Sequence, residues 1–331
     1  RQLPKLHTRV RFPSPAPNFS LFRTGPLRSQ QRSAFLSAFA MSHTAPTAQT
    51  LAATLPHLKA LQGKILVIKY GGNAMTDPAL QQAFAQDIVL LQSLGIYPVV
   101  VHGGGPQIDA ALKLVGKEGQ FIQGMRVTDA ATMQVVQWVL LGQVQPELVG
   151  LINAAGGKAV GIGGRDGGLL TCKKHLLQDE QDASKTHDIG LVGEVDTIAP
   201  GLIWDLLDAG CIPVISPVCP DAQGVAHNVN ADMVAGKLAA ALEAEKLLLL
   251  TNISGVLDKE KKLITELTPA KIDALAADGT ISGGMLPKLQ GALDAASCGV
   301  KVVHILDGRQ AHAMLQLLFT QEDCGTAIRK E

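Results

Sequence analysis

Short apolar runs alternate with longer amphipathic segments from residue 65 onward. The runs are rich in Ile, Leu and Val, as in strands that a parallel sheet buries on both faces, and the longer segments repeat apolar residues at helical spacing. The predicted strands are 65–69, 96–101, 159–162, 211–216, 246–251 and 301–306, and the predicted helices are 78–94, 106–115, 130–141, 146–155, 200–209, 231–242, 269–277, 286–298 and 311–319. This alternation predicts an α/β fold, in which an open, mainly parallel sheet carries helices on both faces.

Two segments do not follow this alternation. Residues 169–195 are polar and irregular, which predicts hairpins or a flap. Residues 46–62 carry leucines at helical spacing and predict a short amphipathic helix ahead of the first strand, broken or kinked at Pro56. We expect its apolar stripe to pack on the body of the protein or on another subunit.

The first forty residues differ in composition from the rest. They contain seven basic residues, many Ser and Pro, and no acidic residue, and the first acidic residue of the chain is Asp77. This composition is typical of an organelle transit peptide, so we expect 1–45 to be a disordered leader for the chloroplast. The mitochondrion is the alternative that composition leaves open. Because the chain starts at Arg1 rather than Met, we expect the precursor to begin earlier.

Charge and apolar content narrow the classes of partner. The formal net charge is zero, but without the seven leader cations 22 basic residues stand against 29 acidic ones, a net charge of −7. A mildly acidic body argues against nucleic acid as a partner, and the lack of a run of about 18 apolar residues argues against a membrane span. The five cysteines form no C-x-x-C pair and fit reduced thiols rather than a disulfide or zinc framework.

Glycine clusters directly follow the first two predicted strands. The first strand ends in Lys69 and continues into glycines 71–72, and the second continues into glycines 103–105. Such glycines let backbone N–H groups approach an anion, and the helix N-termini that follow favour negative charge. Two such loops at one sheet edge, with a lysine at the end of the first strand, favour phosphoryl transfer over hydride transfer. The Walker A loop, the Rossmann fingerprint and the protein-kinase signatures are absent from the sequence.

Two further strand-to-helix junctions carry polar residues. The predicted helix 231–242 begins at a segment that contains Asn228, Asn230 and Asp232. The predicted helix 286–298 follows two glycines, 283 and 284, and carries Lys288 in its first turn. Helix capping or a simple turn would explain each junction alone. Together, the four junctions bring two lysines, one aspartate and several glycine amides to the carboxyl edge of the sheet.

Five ordered segments, taken together, resemble the amino-acid kinase family over roughly residues 50–330. They are Lys-Tyr-Gly-Gly-Asn-Ala-Met from Lys69, His-Gly-Gly-Gly-Pro from His102, Gly-Met-Arg-Val-Thr from Gly124, Asn-Val-Asn-Ala-Asp from Asn228 and Ser-Gly-Gly-Met-Leu-Pro-Lys from Ser282. The resemblance implies a kinase domain at 63–331, with a substrate lobe at about 63–225 and an ATP lobe at about 226–331. The order of the five segments is similar to that in family members of arginine biosynthesis. Those members use ATP with Mg²⁺ to phosphorylate the side-chain carboxylate of N-acetyl-L-glutamate.

The resemblance implies a role for each matching residue. Lys69 and Lys288 would neutralise the transferring phosphoryl group, Asp232 would hold both lysines, and Gly72 and Gly105 would donate backbone N–H groups. The residues implied to hold acetylglutamate are Gly104, Gly105, Arg126 and Asn228, with Arg126 forming a bidentate pair with a carboxylate. The residues implied to bind ATP are Lys69, Gly72, Asn252, Ile253, Ser254, Gly255, Val256, Leu257, Thr280, Ile281 and Ser282. No dedicated protein site for a metal ion is visible in the sequence, which fits Mg²⁺ carried on the nucleotide phosphates.

The resemblance also implies regulation. Members that arginine inhibits have a helix ahead of the first strand and a C-terminal segment similar to 307–326, in which Glu322 and Gly325 are implied to bind arginine. A homohexamer is implied as well. In plants and algae the family's partner is the PII signalling protein, and the leader makes that partner an expectation here.

The chain departs from the family pattern at a few positions and leaves alternatives open. Asn252 stands where the family often has Asp, but no implied catalytic group is missing. A carbamate kinase or glutamate 5-kinase is the alternative enzyme, and Arg126 with the segment from Asn228 favours acetylglutamate. A non-catalytic arginine-sensing scaffold is the alternative of another class, and the two lysines and Asp232 argue against it.

Overall fold

The computed structural model describes residues 48–179, 182, 184–281, 285–320 and 324–330, and the side chains at 48–51, 73 and 285–288 lie outside this description. The helices are α1 (Ala48–Leu61), α2 (Pro78–Ser93), α3 (Gly105–Leu114), α4 (Ala130–Val139), α5 (Gln145–Ala154), α6 (Gly201–Asp208), α7 (Ala231–Ala241), α8 (Pro269–Ala277), α9 (Met285–Ser297) and α10 (Ala313–Phe319). The strands are β1 (Ile65–Tyr70), β2 (Tyr97–His102), β3 (Phe121–Ile122), β4 (Met125–Arg126), β5 (Ala159–Gly163), β6 (Leu170–Gln178), β7 (Thr186–Ile198), β8 (Ile212–Ser216), β9 (Val218–Pro220), β10 (Ala226–Val229), β11 (Lys246–Thr251), β12 (Val256–Leu257), β13 (Leu263–Ile264), β14 (Glu266–Leu267), β15 (Val303–Asp307) and β16 (Thr326–Ile328). Short 3-10 helices occur at Gly72–Met75 and Asp166–Gly168, and a π-helical turn at Leu140–Val144.

Eight strands form one sheet in the order β14-β16-β15-β11-β1-β2-β8-β5. Neighbouring strands are parallel except β15 and β16, which run antiparallel. Helices cover both faces, so successive residues of β1 enter different hydrophobic clusters, Val67 on one face and Leu66 with Ile68 on the other. The predicted α/β fold class is confirmed.

The predicted irregular segment 169–195 forms a long antiparallel hairpin. β6 and β7 pair with each other, and β7 continues into a second sheet in the order β6-β7-β10-β9. This second sheet lies beside the carboxyl end of β8, because β9 begins two residues after β8 ends. Within the compact unit Thr50–Glu331, the large sheet runs across the predicted lobe boundary at 225/226, since β1 pairs with both β2 and β11. The division into lobes stays a prediction.

Two predicted helices, 130–141 and 146–155, form one uninterrupted helical segment. The π-helical turn joins α4 to α5, and Pro146 sits in the first turn of α5, directly after the π-helical turn. By length and mean hydropathy, 1.3, the 25-residue stretch Ala130–Ala154 meets the criterion for a membrane span, and 44% of its most apolar window is buried in the protein. Its buried residues, including Val136 and Ile152, pack in the same cluster as β2, as in the core helix of a globular domain.

Helix α1 runs through Pro56 without a break. Pro56 is exposed, so water can bond the carbonyl that lacks its usual helical partner. Leu61 is only 4% exposed and Leu58 packs beside it in the core, whereas Leu55 is 51% exposed. The end of α1 therefore belongs to the body of the protein, and Leu55, near the middle of the helix, presents apolar surface.

Two buried histidines predict a loss of stability in acid. Burial lowers the pKa of His102 to about 4, and burial with the charges of Lys246 and Arg329 lowers that of His304 to about 3. The unfolded chain takes up protons at both rings near the ordinary pKa of 6.5, but the folded protein does not, so stability falls as the pH drops below that value. From about pH 7.5 to 5 we expect each histidine to cost about 2 kcal/mol of unfolding free energy. Urea unfolding at several pH values across this range measures the loss. His304→Gln should remove about half of the pH dependence of the unfolding free energy that the two rings produce. An unchanged slope in that variant would contradict the prediction.

Candidate active site

The glycine loops after β1 and β2 lie against each other at the carboxyl edge of the sheet. The two strands pair along their length, and the Gly103 N–H donates to the Tyr70 carbonyl at 2.8 Å just beyond the last pair. A methyl group at Gly71 would lie 2.9 Å from Lys69 Nζ and 3.9 Å from the Gly103 Cα. The absence of a side chain at Gly71 therefore leaves the space in which the Lys69 side chain folds over the loops.

Lys69 forms an ion pair with Asp232. Its Nζ lies 3.0 Å from Asp232 Oδ1, and the two side chains are 14% and 26% exposed. Asp232 is in the first turn of α7, which Asn230 caps by accepting a hydrogen bond from the Asp232 N–H at 2.8 Å. The end of β1 and the start of α7 thus fix an ammonium group beside both glycine loops.

Gly72 connects this edge to the end of β11. Its φ of +74° is a conformation that glycine adopts easily, and a methyl group there would lie 2.5 Å from Asn252 Oδ1. The loop after β1 therefore contacts Gly103 on one side and Asn252 on the other. An anion over this loop would lie between two pockets, one on each side.

The first pocket has a volume of about 210 Å³ and contains the residues that the sequence predicted for acetylglutamate. Its polar and glycine lining comprises Gly103, Gly104, Gly105, Gly124, Arg126, His175, Gly193, Asn228 and Asn230. A methyl group at Gly104 would lie 2.5 Å from Leu140 Cδ2, so the π-helical turn packs directly on this loop. A methyl group at Gly105 would meet no other atom within 4 Å, so this glycine borders open space.

Contacts within the protein alone hold the Arg126 side chain in place. Its side chain is 6% exposed, its Nη1 donates to Asp109 Oδ1 at 2.6 Å, and its guanidinium lies 4.6 Å from the centre of the Phe121 ring. Its Nη2 is 3.4 Å from the Gly105 carbonyl. Because Asp109 already accepts a hydrogen bond from Nη1, a substrate carboxylate would accept hydrogen bonds from the remaining guanidinium N–H groups.

Asn228 is linked to Arg126 through Thr128. Asn228 Nδ2 donates to Thr128 Oγ1 at 3.3 Å, and that hydroxyl donates to the Arg126 carbonyl at 2.9 Å. β10 and the short hairpin β3–β4 are thereby joined at one wall of the pocket. Arg126 and Asn228, both predicted to hold acetylglutamate, therefore lie on the same wall.

The second pocket has a volume of about 380 Å³ and contains most of the residues predicted for ATP, whereas Lys69 and Gly72 are not among its described lining residues. Its lining comprises Asn252, Ile253, Ser254, Gly255, Val256, Leu257, Asp258, Thr280, Ile281 and Arg309. Arg309 donates from Nε and Nη2 to the two carboxylate oxygens of Asp307, at 2.9 and 2.8 Å. This pair and Asp258 were not predicted for the pocket.

Several predicted residues lie outside what the structure describes or away from the pockets. Ser282, Glu322 and the Lys288 side chain are outside the described residues. Gly325, predicted for arginine, has a φ of +74°, and a methyl group there would meet the Ile305 carbonyl, so close packing on β15 explains this glycine. Among the described residues, no group of three or more His, Cys, Asp or Glu could hold a metal ion.

Two residues that contribute to the first pocket were not predicted from the sequence: His175 lines it, and Asp109 holds Arg126 without being among the described lining residues. Asp109 lies one helical turn after Gly105 on α3, a position that does not by itself indicate a partner for Arg126. His175 lies in the middle of β6, where nothing in the local pattern marks a pocket residue.

Residues 64–307 match the amino acid kinase family. The chain belongs to this family.

Relatives within the family are highly similar. The acetylglutamate kinase of Polaromonas naphthalenivorans is 60% identical over 291 residues, which cover 87% of this chain and 95% of the relative. That of Paracidovorax citrulli is 60% identical over 282 residues, 85% of this chain and 95% of the relative.

Solved structures share the fold. An N-acetylglutamate synthase from Neisseria gonorrhoeae, complexed with coenzyme A and N-acetyl-glutamate, has a TM-score of 0.75 and 25% identity over 87% of this chain; the match spans 64% of that longer protein. A carbamate kinase from Giardia lamblia has a TM-score of 0.55 and 21% identity, which shows the fold alone.

Proposed function

We propose that the protein transfers the γ-phosphoryl group of ATP to the side-chain carboxylate of N-acetyl-L-glutamate, in arginine biosynthesis. The observation that carries this proposal is the 60% identity to acetylglutamate kinases across 95% of their length. A pocket with one buried, oriented guanidinium beside open glycine amides suits a small dicarboxylate.

The chemistry requires alignment and charge stabilisation more than proton transfer. A carboxylate oxygen of the substrate attacks the γ-phosphorus, the bond to the β-phosphate oxygen breaks, and ADP leaves. Because the nucleophile is ionised at neutral pH, no general base is needed. Lys69 and the amides of Gly72 and Gly105 would stabilise the transferring group, with Asp232 orienting the lysine.

We propose Lys288 as the second lysine and the pocket from Asn252 to Leu257 as the ATP site. Lys69, Thr280, Ile281 and Ser282 would complete that site. Mg²⁺, carried on the nucleotide, would neutralise charge on the ATP phosphates. Gly104, Arg126 and Asn228 would hold acetylglutamate.

The test is ADP formation by the purified full chain with MgATP and a panel of acceptors. Turnover should require N-acetyl-L-glutamate and be far slower with carbamate or L-glutamate. Preference for carbamate would favour a carbamate kinase, and preference for L-glutamate would favour a glutamate 5-kinase. Arginine binding without ATP turnover under any acceptor would favour the scaffold.

We further propose arginine inhibition, a homohexamer, binding of the PII signalling protein, and a chloroplast leader at 1–45 with the mitochondrion as alternative. The argument for oligomerisation by α1 is that Leu58 and Leu61 anchor it in the core while Leu55 presents apolar surface. Glu322 and Gly325 are the proposed arginine residues.

Deleting residues 1–55, which removes the exposed Leu55, is expected to give an active enzyme with a smaller oligomer and little arginine inhibition. The deletion spares the core residues Leu58 and Leu61, so the fold should persist. Sedimentation and an arginine titration measure the two effects, and Leu55→Glu in the full chain is the matched point variant. A truncated enzyme that stays hexameric and fully arginine-sensitive would refute the prediction.

A further inference from the structure

His175 lies where extra residues of β7 interrupt the β6–β7 ladder, and it lines the substrate pocket. Lys174 pairs with Gly193 of β7, whereas Leu176 pairs with Asp188, so the ladder is irregular at His175. The burial pattern is also broken, since Lys173 and Lys174 are both exposed and His175 is largely covered. Bulges beside active sites commonly redirect a side chain, and His175 here lines the pocket together with Arg126 and Asn228.

Glu194 determines which ring nitrogen of His175 carries hydrogen. Its Oε2 lies 3.3 Å from His175 Nδ1, and its Oε1 lies 3.1 Å from Lys173 Nζ. Desolvation acts to raise the pKa of Glu194, but hydrogen bonds from Lys173 and His175 hold it below its ordinary value, so the group is a carboxylate at neutral pH. A carboxylate only accepts hydrogen bonds, so Nδ1 donates and the neutral ring keeps a lone pair on Nε2.

That Nε2 is buried and has no hydrogen-bond partner among the residues that the structure describes. A buried acceptor without a donor is costly, so a donor from a ligand would be favoured. N-acetyl-L-glutamate, as a dianion, has a single hydrogen-bond donor, its amide N–H, and its carboxylate and acetyl oxygens only accept. The Nε2 lone pair would be repelled by those oxygens and matches the N–H alone.

We propose that His175 Nε2 accepts the amide N–H of the acyl-amino acid substrate. His175 is then a specificity-determining residue that the kinase uses to select an amide at this position, with Glu194 as its positioning residue. The inference rests on the proposed function, because it assigns one more contact in the same pocket.

The test compares two ligands that differ only in this N–H. They are N-acetyl-L-glutamate and (S)-2-acetoxyglutarate, in which an ester oxygen replaces the N–H. Wild-type enzyme should bind the ester about fivefold more weakly, and His175→Leu should bind acetylglutamate about fivefold more weakly while losing its preference between the two ligands. The KM for ATP and kcat should stay within about twofold. His175→Gln, whose Oε1 can accept the N–H, should recover most of the affinity.

His187 provides the matched control. It is also a histidine of the β6–β7 hairpin paired with a carboxylate, with Nε2 2.7 Å from Asp179 Oδ2, and it is not among the described residues that line the pocket. His187→Leu should change neither affinity.

Three outcomes overturn the inference. They are unchanged acetylglutamate affinity in His175→Leu, equal weakening of both ligands in that variant, and equal binding of both ligands by wild-type enzyme. The last comparison needs no variant, so it applies even if His175→Leu does not fold. A wild-type enzyme that makes no ADP with acetylglutamate would instead overturn the proposed function.

Discussion

Replacing Lys69 with methionine is expected to lower kcat by about two to three orders of magnitude, as loss of one preorganised donor does at other active sites. The methionine fills similar volume, but the ammonium 3.0 Å from Asp232 and beside both glycine loops is lost. Acetylglutamate affinity should change little, because Lys69 is not among the described residues that line the pocket with Arg126 and Asn228. Steady-state kinetics and calorimetric binding of acetylglutamate separate the two effects.

Lys64 provides the control for charge alone. It is an exposed lysine just before β1, at the opposite end of the strand, so Lys64→Met should leave kcat unchanged. Asp232→Asn should lower kcat less than Lys69→Met, and the double variant should cost less than the sum of the two, since the residues act as one unit. A Lys69→Met enzyme that keeps its kcat would remove Lys69 from the chemistry.

Arg126→Lys is expected to raise the KM for acetylglutamate by about 10- to 100-fold, the effect of losing a charged hydrogen bond. Lysine keeps the charge but not the planar fork, so one ammonium would have to serve both Asp109 and the substrate. The KM for ATP should stay near its wild-type value, because Arg126 is not among the described residues of the second pocket.

Asp109→Asn separates substrate contact from positioning. The amide keeps the volume and loses the charge that orients the guanidinium, so the KM for acetylglutamate should rise by less than in Arg126→Lys. Equal weakening of ATP and acetylglutamate in either variant would indicate a structural arginine instead.

The sheet could be predicted from sequence because its strands are continuous apolar runs. β1 and β11 are buried on both faces, and that burial requires Ile, Leu and Val in succession. The π-helical turn could not be predicted, since Gly142 and Pro146 indicate a break by local propensity, while packing on Gly104 and β2 keeps the helix continuous.

The candidate site was predictable where it depends on parallel strands. The glycine loops after β1 and β2 were expected together because neighbouring parallel strands end at one edge, and the structure joins them. Asp232 also meets Lys69, but it follows β10 of the second sheet, whose position the strand pattern did not indicate. The partner of Arg126 was not predictable, because Arg126 stands on a two-residue strand whose placement no periodicity indicates. His175 was missed for a similar reason, since a bulge depends on pairing between strands and not on the sequence of one strand.

The π-helical turn also determines how the chain tolerates insertions and deletions. Each residue advances an α-helix by about 100°. Removing one residue from α5 ahead of Leu148 would therefore turn the rest of that helix by about this angle and carry Ile152, now buried, toward solvent. The π-helical turn closes i→i+5 hydrogen bonds and holds one residue more than an α-helical turn, so removing one residue from Leu140–Val144 would let it close as α-helix with Leu148 and Ile152 still buried. The main effect there would be on the contact between Leu140 and the pocket loop at Gly104.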